Sequence, residues 1–212
     1  MRRYKIIAIP VAAVAIVAWV LQYISINQYF RKTYPLDIQT YQMGEFVPWD
    51  EDVLSRNSLA GYEIQVESAM IMDAAQFFEL YHASGENIPN LPEKVCDVEI
   101  TVRNVGTDLD VNVLGLFLPD LVLHGIDYTT DWNSELMWIA NPEMREAESL
   151  GVMVPPGYQH TAHIIYNLRR MHFSAFTWSR LEKYDFYITM SDYPTRKEIQ
   201  LTEMQYIFTQ RK

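Results

Sequence analysis

The closest pair of histidines in the chain is His160 and His163, and imidazole nitrogens are common metal ligands. They lie in a segment, Tyr158–Tyr166, whose apolar residues and preceding Pro155-Pro-Gly157 favour a strand. Strand positions three apart point to opposite faces, so the two rings cannot converge on one ion without a bulge. His82, His124 and His172 are isolated, and no H-E-x-x-H motif is present. We therefore expect no metal site.

Cys96 is the only cysteine and would be the natural candidate for a nucleophile. It alternates with Val98, Ile100 and Val102, while Asp97, Glu99, Thr101 and Arg103 occupy the other positions of the segment Val95–Arg103. This period of two predicts a strand with Cys96 on its buried face, where a thiol packs as a small apolar group. No G-x-S-x-G motif occurs, and Ser84-Gly85 follows a predicted helix instead of preceding one. We expect no enzyme, no catalytic residue and no cofactor.

Acidic and amide side chains offer one further possibility. Asn104, Asp108, Asp110 and Asn112 cluster around a predicted hairpin, and calcium takes six to eight oxygen ligands of this kind. The D-x-[DN]-x-[DN]-G loop is missing, and Asp and Asn are ordinary turn residues. Turn chemistry is the favoured interpretation and calcium binding the alternative. Asp50-Glu-Asp52 is interpreted as a short solvated run.

Aromatic residues are numerous, with 14 tyrosines and the tryptophans Trp49, Trp132, Trp138 and Trp178 outside the N-terminal segment. Such rings either fill a core and helix–sheet contacts or form an exposed platform for sugars. The sequence leaves both open.

The N-terminal segment predicts that the protein is attached to a membrane. Residues 6–26 are almost entirely apolar and match the length of a helix that crosses a bilayer. Pro10 lies near its start, and Trp19 and Tyr23 lie near its end, where interfacial rings are favoured. A cleaved signal peptide is the alternative, but no small-residue cleavage site follows Leu21. We predict a retained single-pass anchor.

The distribution of charged residues bears on the orientation of the chain in the membrane and on the class of partner. Arg2, Arg3 and Lys5 precede the apolar segment, and Arg31 and Lys32 follow it, so the positive-inside bias gives a cytoplasmic N-terminus only a slight preference. The residues after 26 hold all 27 acidic and 14 of the 17 basic residues, a formal charge of −13. A surface this acidic argues against nucleic acid as a partner. We predict a cytoplasmic tail (1–5), a transmembrane helix (6–26), a stalk (27–52) whose later part can lie against the domain, and one extracytoplasmic domain (53–212).

Alternating apolar residues recur along the predicted domain and indicate strands with one buried face. They occur at Gly61–Glu67, Val95–Arg103, Tyr158–Tyr166, Tyr184–Met190 and Lys197–Thr202, and Leu109–Leu118 has the pattern of a central strand. Turns are predicted at Asn104–Thr107 and Asp192–Pro194. Asp73-Ala-Ala-Gln76 resembles a capping box, and Asp131–Ala140 and Ser174–Lys183 are further helix candidates. The predicted fold is mainly β, an immunoglobulin-like β-sandwich with one to three short helical insertions after a single N-terminal transmembrane helix.

Several motifs carry a resemblance to a family. They are Tyr41-Gln-Met-Gly-Glu45, Gly61-Tyr62, Val98–Asn104 entering its turn, Val154-Pro-Pro-Gly157, and Tyr184-Asp-Phe-Tyr187 leading to Tyr193-Pro-Thr195. Together they resemble an uncharacterised family of membrane-anchored, immunoglobulin-like domains of unknown function from Gram-positive bacteria, over most of residues 40 to 203. The resemblance implies a fold and a cell-surface location, and it implies no catalytic residue.

These inferences converge on a non-enzymatic interaction domain. We expect a single-pass protein of the cell membrane, with its N-terminus cytoplasmic and its C-terminal domain extracellular. The expected partner is another surface or membrane protein. The alternative is a cell-wall or glycan-binding module that uses exposed aromatic residues.

Overall fold

The computed structural model describes residues 15–25, 37–49, 59–107, 115–125, 128–129, 131–191 and 195–208. The chain divides into two compact units, Met1–Asp37 and Ile38–Lys212. In the first unit residues 15–25 form helix α1, whose large apolar side chains are exposed. No helix in the described ranges combines the length and apolar character needed to cross a membrane. The transmembrane prediction covers residues 6–26, and its residues 6–14 and 26 lie outside the described ranges.

The second unit is built mainly from strands. They are β1 (Asp37–Gln42), β2 (Val47–Trp49), β3 (Tyr62–Asp73), β4 (Lys94–Asn104), β5 (Leu116–Phe117), β6 (Val122–Gly125), β7 (Tyr128–Thr129), β8 (Gly151–Val152), β9 (Gln159–Leu168), β10 (Phe186–Ser191), β11 (Thr195–Leu201) and β12 (Gln205–Ile207). The short helices are α2 (Ala74–Leu80), α3 (Ser134–Ala140), α4 (Pro142–Glu146) and α5 (Ala175–Trp178). Single 3₁₀ turns lie at Leu118–Asp120, Arg170–His172 and Leu181–Lys183.

These strands form two five-stranded sheets and a small pair. Sheet I has the order β1-β11-β10-β6-β7, sheet II has the order β12-β3-β4-β9 with β2 also paired to β3, and β5 pairs with β8. Both large sheets contribute to one hydrophobic cluster. The mainly β class with short helices is confirmed. The immunoglobulin-like arrangement is not, because β12 runs parallel to β3, whereas immunoglobulin sheets are antiparallel.

Strand β4 is the centre of sheet II, between β3 and β9. Cys96, Val98, Ile100 and Val102 are fully buried, as the alternation predicts. The opposite face is less exposed than predicted, since Asp97 and Thr101 are also buried. Helix α2 packs on β3 and β4, and α3 packs on β9. A helical layer therefore covers part of the face that the alternation predicts to be solvated.

Residues suited to helix N-termini mark where the short helices begin. Asp73 caps α2, and the side chain of Gln76 accepts a hydrogen bond from the Asp73 amide at 3.2 Å, so the predicted capping box is confirmed. The other two candidates each contain a shorter helix, α3 within 131–140 and α5 within 174–183. Helix α4 has no counterpart among the predicted helices. It starts at Pro142, a residue suited to the first helical position, and lasts little more than one turn.

Two predicted segments need correction. The stalk over 27–52 extends too far, because its residues 37–49 form β1 and β2 within the sheets, and Val47 and Trp49 are buried. An exposed edge strand and a three-residue strand have too little alternation to be recognised. The second segment is the predicted central strand Leu109–Leu118. Residues 108–114 are not described, and the described remainder contains the two-residue strand β5, which lies outside both large sheets. The predicted turn at Asp192–Pro194 lies outside the described residues.

Candidate functional site

Three loops meet around Asn104, the last residue of β4. Its backbone amide donates to the carbonyl of Tyr158 at 3.1 Å, and its carbonyl accepts from the amide of Gly157 at 2.8 Å. Its side-chain amide donates to the carbonyl of Val154 at 2.9 Å, and its side-chain oxygen accepts from the amide of Gly106 at 2.9 Å. Asn104 thus fixes both its own turn and the segment 154–158. We call this region the Asn104 junction.

Tyr62, the first residue of β3, holds the same segment from the other side. Its buried hydroxyl donates to the carbonyl of Val154 at 3.1 Å and accepts from the amide of Val154 at 3.0 Å. Both backbone groups of Val154 are therefore satisfied by one side chain. A buried backbone group without a partner costs free energy, so this arrangement stabilises a loop that has no strand neighbour of its own.

Gly61 brings the third loop into contact. Its φ is +88°, and a Cβ atom at this position would lie 2.7 Å from the Cα of Gly106. The amide of Val105 donates to the carbonyl of Gly61 at 2.7 Å. Only glycine combines this backbone conformation with this approach. Gly61-Tyr62, Asn104 and Val154–Gly157, which belong to three of the motifs that carry the family resemblance, thus lie together in space.

The Asn104 junction presents apolar side chains to solvent. Val105 is 54% exposed, Met153 63% and Tyr158 69%. Val105 and Tyr158 line a cavity of about 400 Å³ together with Arg103. The Arg103 guanidinium lies 3.5 Å from the centre of the Phe46 ring and pairs with Glu63. Rigid loops therefore display an apolar surface with one anchored cation beside it.

Glu143 of α4 borders the junction. Met153 lines a cavity of about 170 Å³ with Glu143 and His160. The Nε2 atom of His160 lies 3.7 Å from a carboxylate oxygen of Glu143, and both side chains are partly exposed. The exposed apolar side chains of the junction therefore have one carboxylate, that of Glu143, beside them on this side.

The second histidine of the pair, His163, belongs to a different cluster. Its Nδ1 atom lies 2.9 Å from Asp97 Oδ1, and the Tyr81 hydroxyl donates to Asp97 Oδ2 at 2.6 Å. The same hydroxyl is 3.0 Å from His163 Nδ1. Asp97 comes from β4, His163 from β9 and Tyr81 from the end of α2. As predicted, His160 and His163 occupy opposite faces of β9, since they pair with Val102 and Glu99 respectively.

Electrostatics favour a charged His163. Burial by itself lowers the pKa of His163, but the hydrogen bond and charge of Asp97, with the charges of Glu99 and Glu143, outweigh it and raise the pKa above its usual value. Burial and the charge of Asp97 raise the pKa of Tyr81, which stays protonated and donates. An Asp–His pair can orient an imidazole for proton transfer. Among the described residues no serine, threonine or cysteine is hydrogen-bonded to this imidazole.

The remaining predicted candidates are dispersed. Cys96 is free and buried, as predicted, and burial raises the pKa of its thiol. Asp108, Asp110 and Asn112 lie outside the described residues, as do Asp50–Asp52. In the ranges that the structure describes, no group of three or more His, Cys, Asp or Glu side chains is arranged to hold a metal ion.

Comparison with known proteins identifies the family. The model of a family described as "Domain of unknown function (DUF5028)" matches residues 38–197. The chain belongs to this family. The DUF5028 match begins at β1 and includes the Asn104 junction, and it confirms the resemblance to a family of domains of unknown function. No curated protein matches the chain.

Among solved structures, the DUF5028 chain is similar to one described as "a putative lipoprotein" from Staphylococcus aureus. The two share 10% sequence identity with a TM-score of 0.39, over 78% of this chain and 98% of the other.

The cluster of Tyr81, Asp97 and His163 in this DUF5028 domain has no signal in the sequence. Alternation with apolar neighbours places Asp97 on a solvated face. The covering helix α2 is short, and the three residues are far apart in the chain, so no local motif joins them. The hydrogen-bonding role of Asn104 is indicated only by its place in a predicted turn.

Proposed function

We propose that the chain is a non-enzymatic, membrane-anchored extracytoplasmic domain that binds another cell-surface protein through the Asn104 junction. The observation that carries this proposal is the exposure of Val105, Met153 and Tyr158 on loops held by buried hydrogen bonds. Exposed apolar patches often mark protein interfaces.

The composition of the patch supports a protein partner. Aromatic residues and Met are enriched at protein interfaces, and Tyr provides a large contact area with few rotatable bonds. The backbone of the junction is already ordered by Asn104 and Tyr62, so binding would lose little backbone entropy. A partner would thus meet a preformed surface.

Charge defines the complementary surface. The residues after 26 carry a formal charge of −13, and Glu143 borders the patch beside Met153. A partner with an apolar centre and lysine or arginine side chains around it would be complementary in both respects. Electrostatic attraction of this kind would mainly increase the association rate.

The anchor is part of the same proposal. Residues 6–26 form the membrane segment with the N-terminus inside, and the exposed apolar side chains of α1 support an apolar surrounding for this part of the chain. The anchor would be retained in the mature protein. Mass spectrometry of membrane-extracted protein tests this point, and a mature N-terminus between Asn27 and Tyr41 would contradict it.

A glycan-binding platform of exposed rings is supported less well. Trp132 forms a bridge to Tyr166 near the end of β9, whereas Tyr158 precedes its start. At about 3.3 Å per strand residue these two exposed rings are roughly 25 Å apart. They do not make one platform.

Topology and binding can be tested on the full chain in intact cells. Tyr158→Cys should react with a membrane-impermeant maleimide, while the native Cys96, which is buried, should react slowly. Protection of Tyr158→Cys in intact cells, with labelling after lysis, would place the domain on the cytoplasmic side and overturn the proposal.

A photoreactive amino acid at position 158 tests the partner. We expect one discrete protein adduct, which disappears when Val105→Ser and Met153→Ser are added. The matched control is the same photoreactive residue at Met171, which is 83% exposed but far from the junction in sequence. Equal adducts from both positions, or an adduct insensitive to the serine substitutions, would show that the patch is not the interface.

A further inference from the structure

A cleft of about 800 Å³ lies where β3 ends and β4 begins. Its walls come from Asp73 and Lys94 of these strands, from Arg170 after β9, from Trp178 of α5, from Glu182 in the following 3₁₀ turn, and from Phe208 after β12. The volume is within the range of small-molecule sites. Lys94 and Asn104 are the two ends of β4, about 30 Å apart at strand rise, so the cleft is separate from the Asn104 junction.

The centre of the cleft is ordered by Lys94. Its ammonium group pairs with the Asp73 carboxylate and lies 3.7 Å from the centre of the Phe208 ring. The Trp178 ring is 6.0 Å from the same ammonium, and the Phe173 ring is 5.5 Å from Trp178. These contacts fix two aromatic rings and one ion pair in the wall.

The polar groups of the wall include both hydrogen-bond donors and acceptors. Lys94 and Arg170 can donate hydrogen bonds, whereas Asp73, Glu93 and Glu182 accept them. The Ser179 hydroxyl donates to the carbonyl of Phe176 at 3.0 Å and is left with acceptor capacity. Glu93 also accepts from the Arg170 amide at 3.3 Å. The lining therefore mixes three carboxylates with two cations, and a ligand of either charge would meet a group of its own sign.

Hydroxyl groups both donate and accept, so they suit such a wall better than a fixed ion does. The rings supply apolar surface for the carbon face of a cyclic molecule. We propose that this cleft binds a neutral, polyhydroxylated ligand, a saccharide. This site goes beyond the proposed protein interface and does not depend on it.

The test uses the full chain in a polyoxyethylene detergent, which has no sugar headgroup. Chitotriose and maltotriose are the neutral probes, and tetramethylammonium and inorganic phosphate are the charged ones. Saturation-transfer NMR should show that at least one trisaccharide binds, with a dissociation constant of about 1 mM or lower. Its affinity should change little between about 0.05 M and 0.5 M NaCl, because screening acts on charged ligands.

Arg170→Ala and Glu182→Ala alter exposed residues of the wall and leave the core intact. Each should weaken trisaccharide binding by about tenfold, the effect of one lost hydrogen bond to a charged group. The matched control is Phe176→Ala, which removes an exposed ring of α5 outside the cleft lining and should bind like the wild type. Absence of trisaccharide binding, binding of only the charged probes, or affinity unchanged in both wall variants would overturn the proposal.

Discussion

The hydroxyl of Tyr62 satisfies both backbone groups of Val154, a residue 92 positions later in the chain. The contact joins the start of β3 to the loop before β9 and so closes the Asn104 junction. Within the described ranges, the loop around Val154 forms no β-sheet hydrogen bonds of its own. Its exposed residues are therefore held in place by contacts such as this one.

Tyr62→Phe should therefore destabilise the domain by about 1–3 kcal/mol, since the buried Val154 amide loses its partner and the Val154 carbonyl keeps only the Asn104 side-chain amide. Urea unfolding followed by fluorescence measures this change. The control is Tyr158→Phe, which alters an exposed ring and should remain within about 0.5 kcal/mol of the wild type. Equal effects of the two substitutions would contradict the role given to the Tyr62 hydroxyl.

Asn141 protects the outer edge of β9 and should be similarly sensitive. Its side chain accepts from the His163 amide at 2.8 Å and donates to the carbonyls of His163 and Met137, both at 2.8 Å. Asn141→Leu should cost about 3 kcal/mol or more and increase hydrogen exchange at the His163 amide. Asn133→Ala removes only the cap of α3 and should cost about 1 kcal/mol. Unchanged exchange at His163 in Asn141→Leu would argue against the edge contact.

His163 predicts a pH dependence. Its pKa is raised in the folded state, so its contribution to stability is fully present below its ordinary pKa of 6.5 and is lost as pH rises through the folded value. The stability difference between the wild type and His163→Gln should shrink as pH increases above about 6.5. His160→Gln is the control, because the pair of His160 with Glu143 is exposed and screened by solvent. A difference that grows with pH would mean that folding lowers the pKa of His163 instead of raising it.

Cys96 should be inaccessible in the native domain. Maleimide labelling should be slow without denaturant and fast in its presence, because the side chain is buried and its pKa is raised. Cys96→Asp should destabilise by several kcal/mol, since it buries an unpaired carboxylate. Cys96→Ala, which adds no charge, should cost much less. Equal labelling rates in both conditions would refute the assigned strand register.

Residues 37–212 should form one cooperative folding unit. This fragment keeps β1 and β2, whereas a fragment starting at residue 53 loses both, with the buried side chains of Val47 and Trp49. Calorimetry should show a single transition for 37–212 and a lower melting temperature for 53–212, because burial of each such side chain contributes about 1.5–3 kcal/mol. Two separated transitions in 37–212 would reveal a domain boundary. A large loss of melting temperature with EDTA would point to the carboxylates near Asp108.

The strands that can be predicted from the sequence are those in which apolar and polar residues alternate strongly. The register of β4 and the buried positions of β10 follow directly from residues such as Cys96, Ile188 and Met190. Strands β1 and β2 resemble a stalk in sequence, because an edge strand buries few side chains and three residues show no period. The order of the strands in the sheets cannot be predicted from the sequence either, because the parallel pairing of β12 with β3 joins segments more than 130 residues apart.

The candidate site is predictable only in pieces. Gly61, Asn104 and Val154–Gly157 are recognisable as separate motifs, and their meeting requires the pairing of β3 with β4 and of β4 with β9. The pair of Asp97 and His163 has no local signature, because burial of Asp97 depends on a helix that packs on the sheet from elsewhere in the chain.

The pairing of β1 with β11, and of β3 with β12, has a consequence for biosynthesis. The first strand of the domain cannot pair until β11 has been made, and β3 lacks one neighbour until β12 has been made, so neither large sheet is complete before the last strands of the domain. Such long-range contacts slow folding and prolong the time during which apolar strands are open to aggregation. The domain would therefore fold after synthesis and not during it.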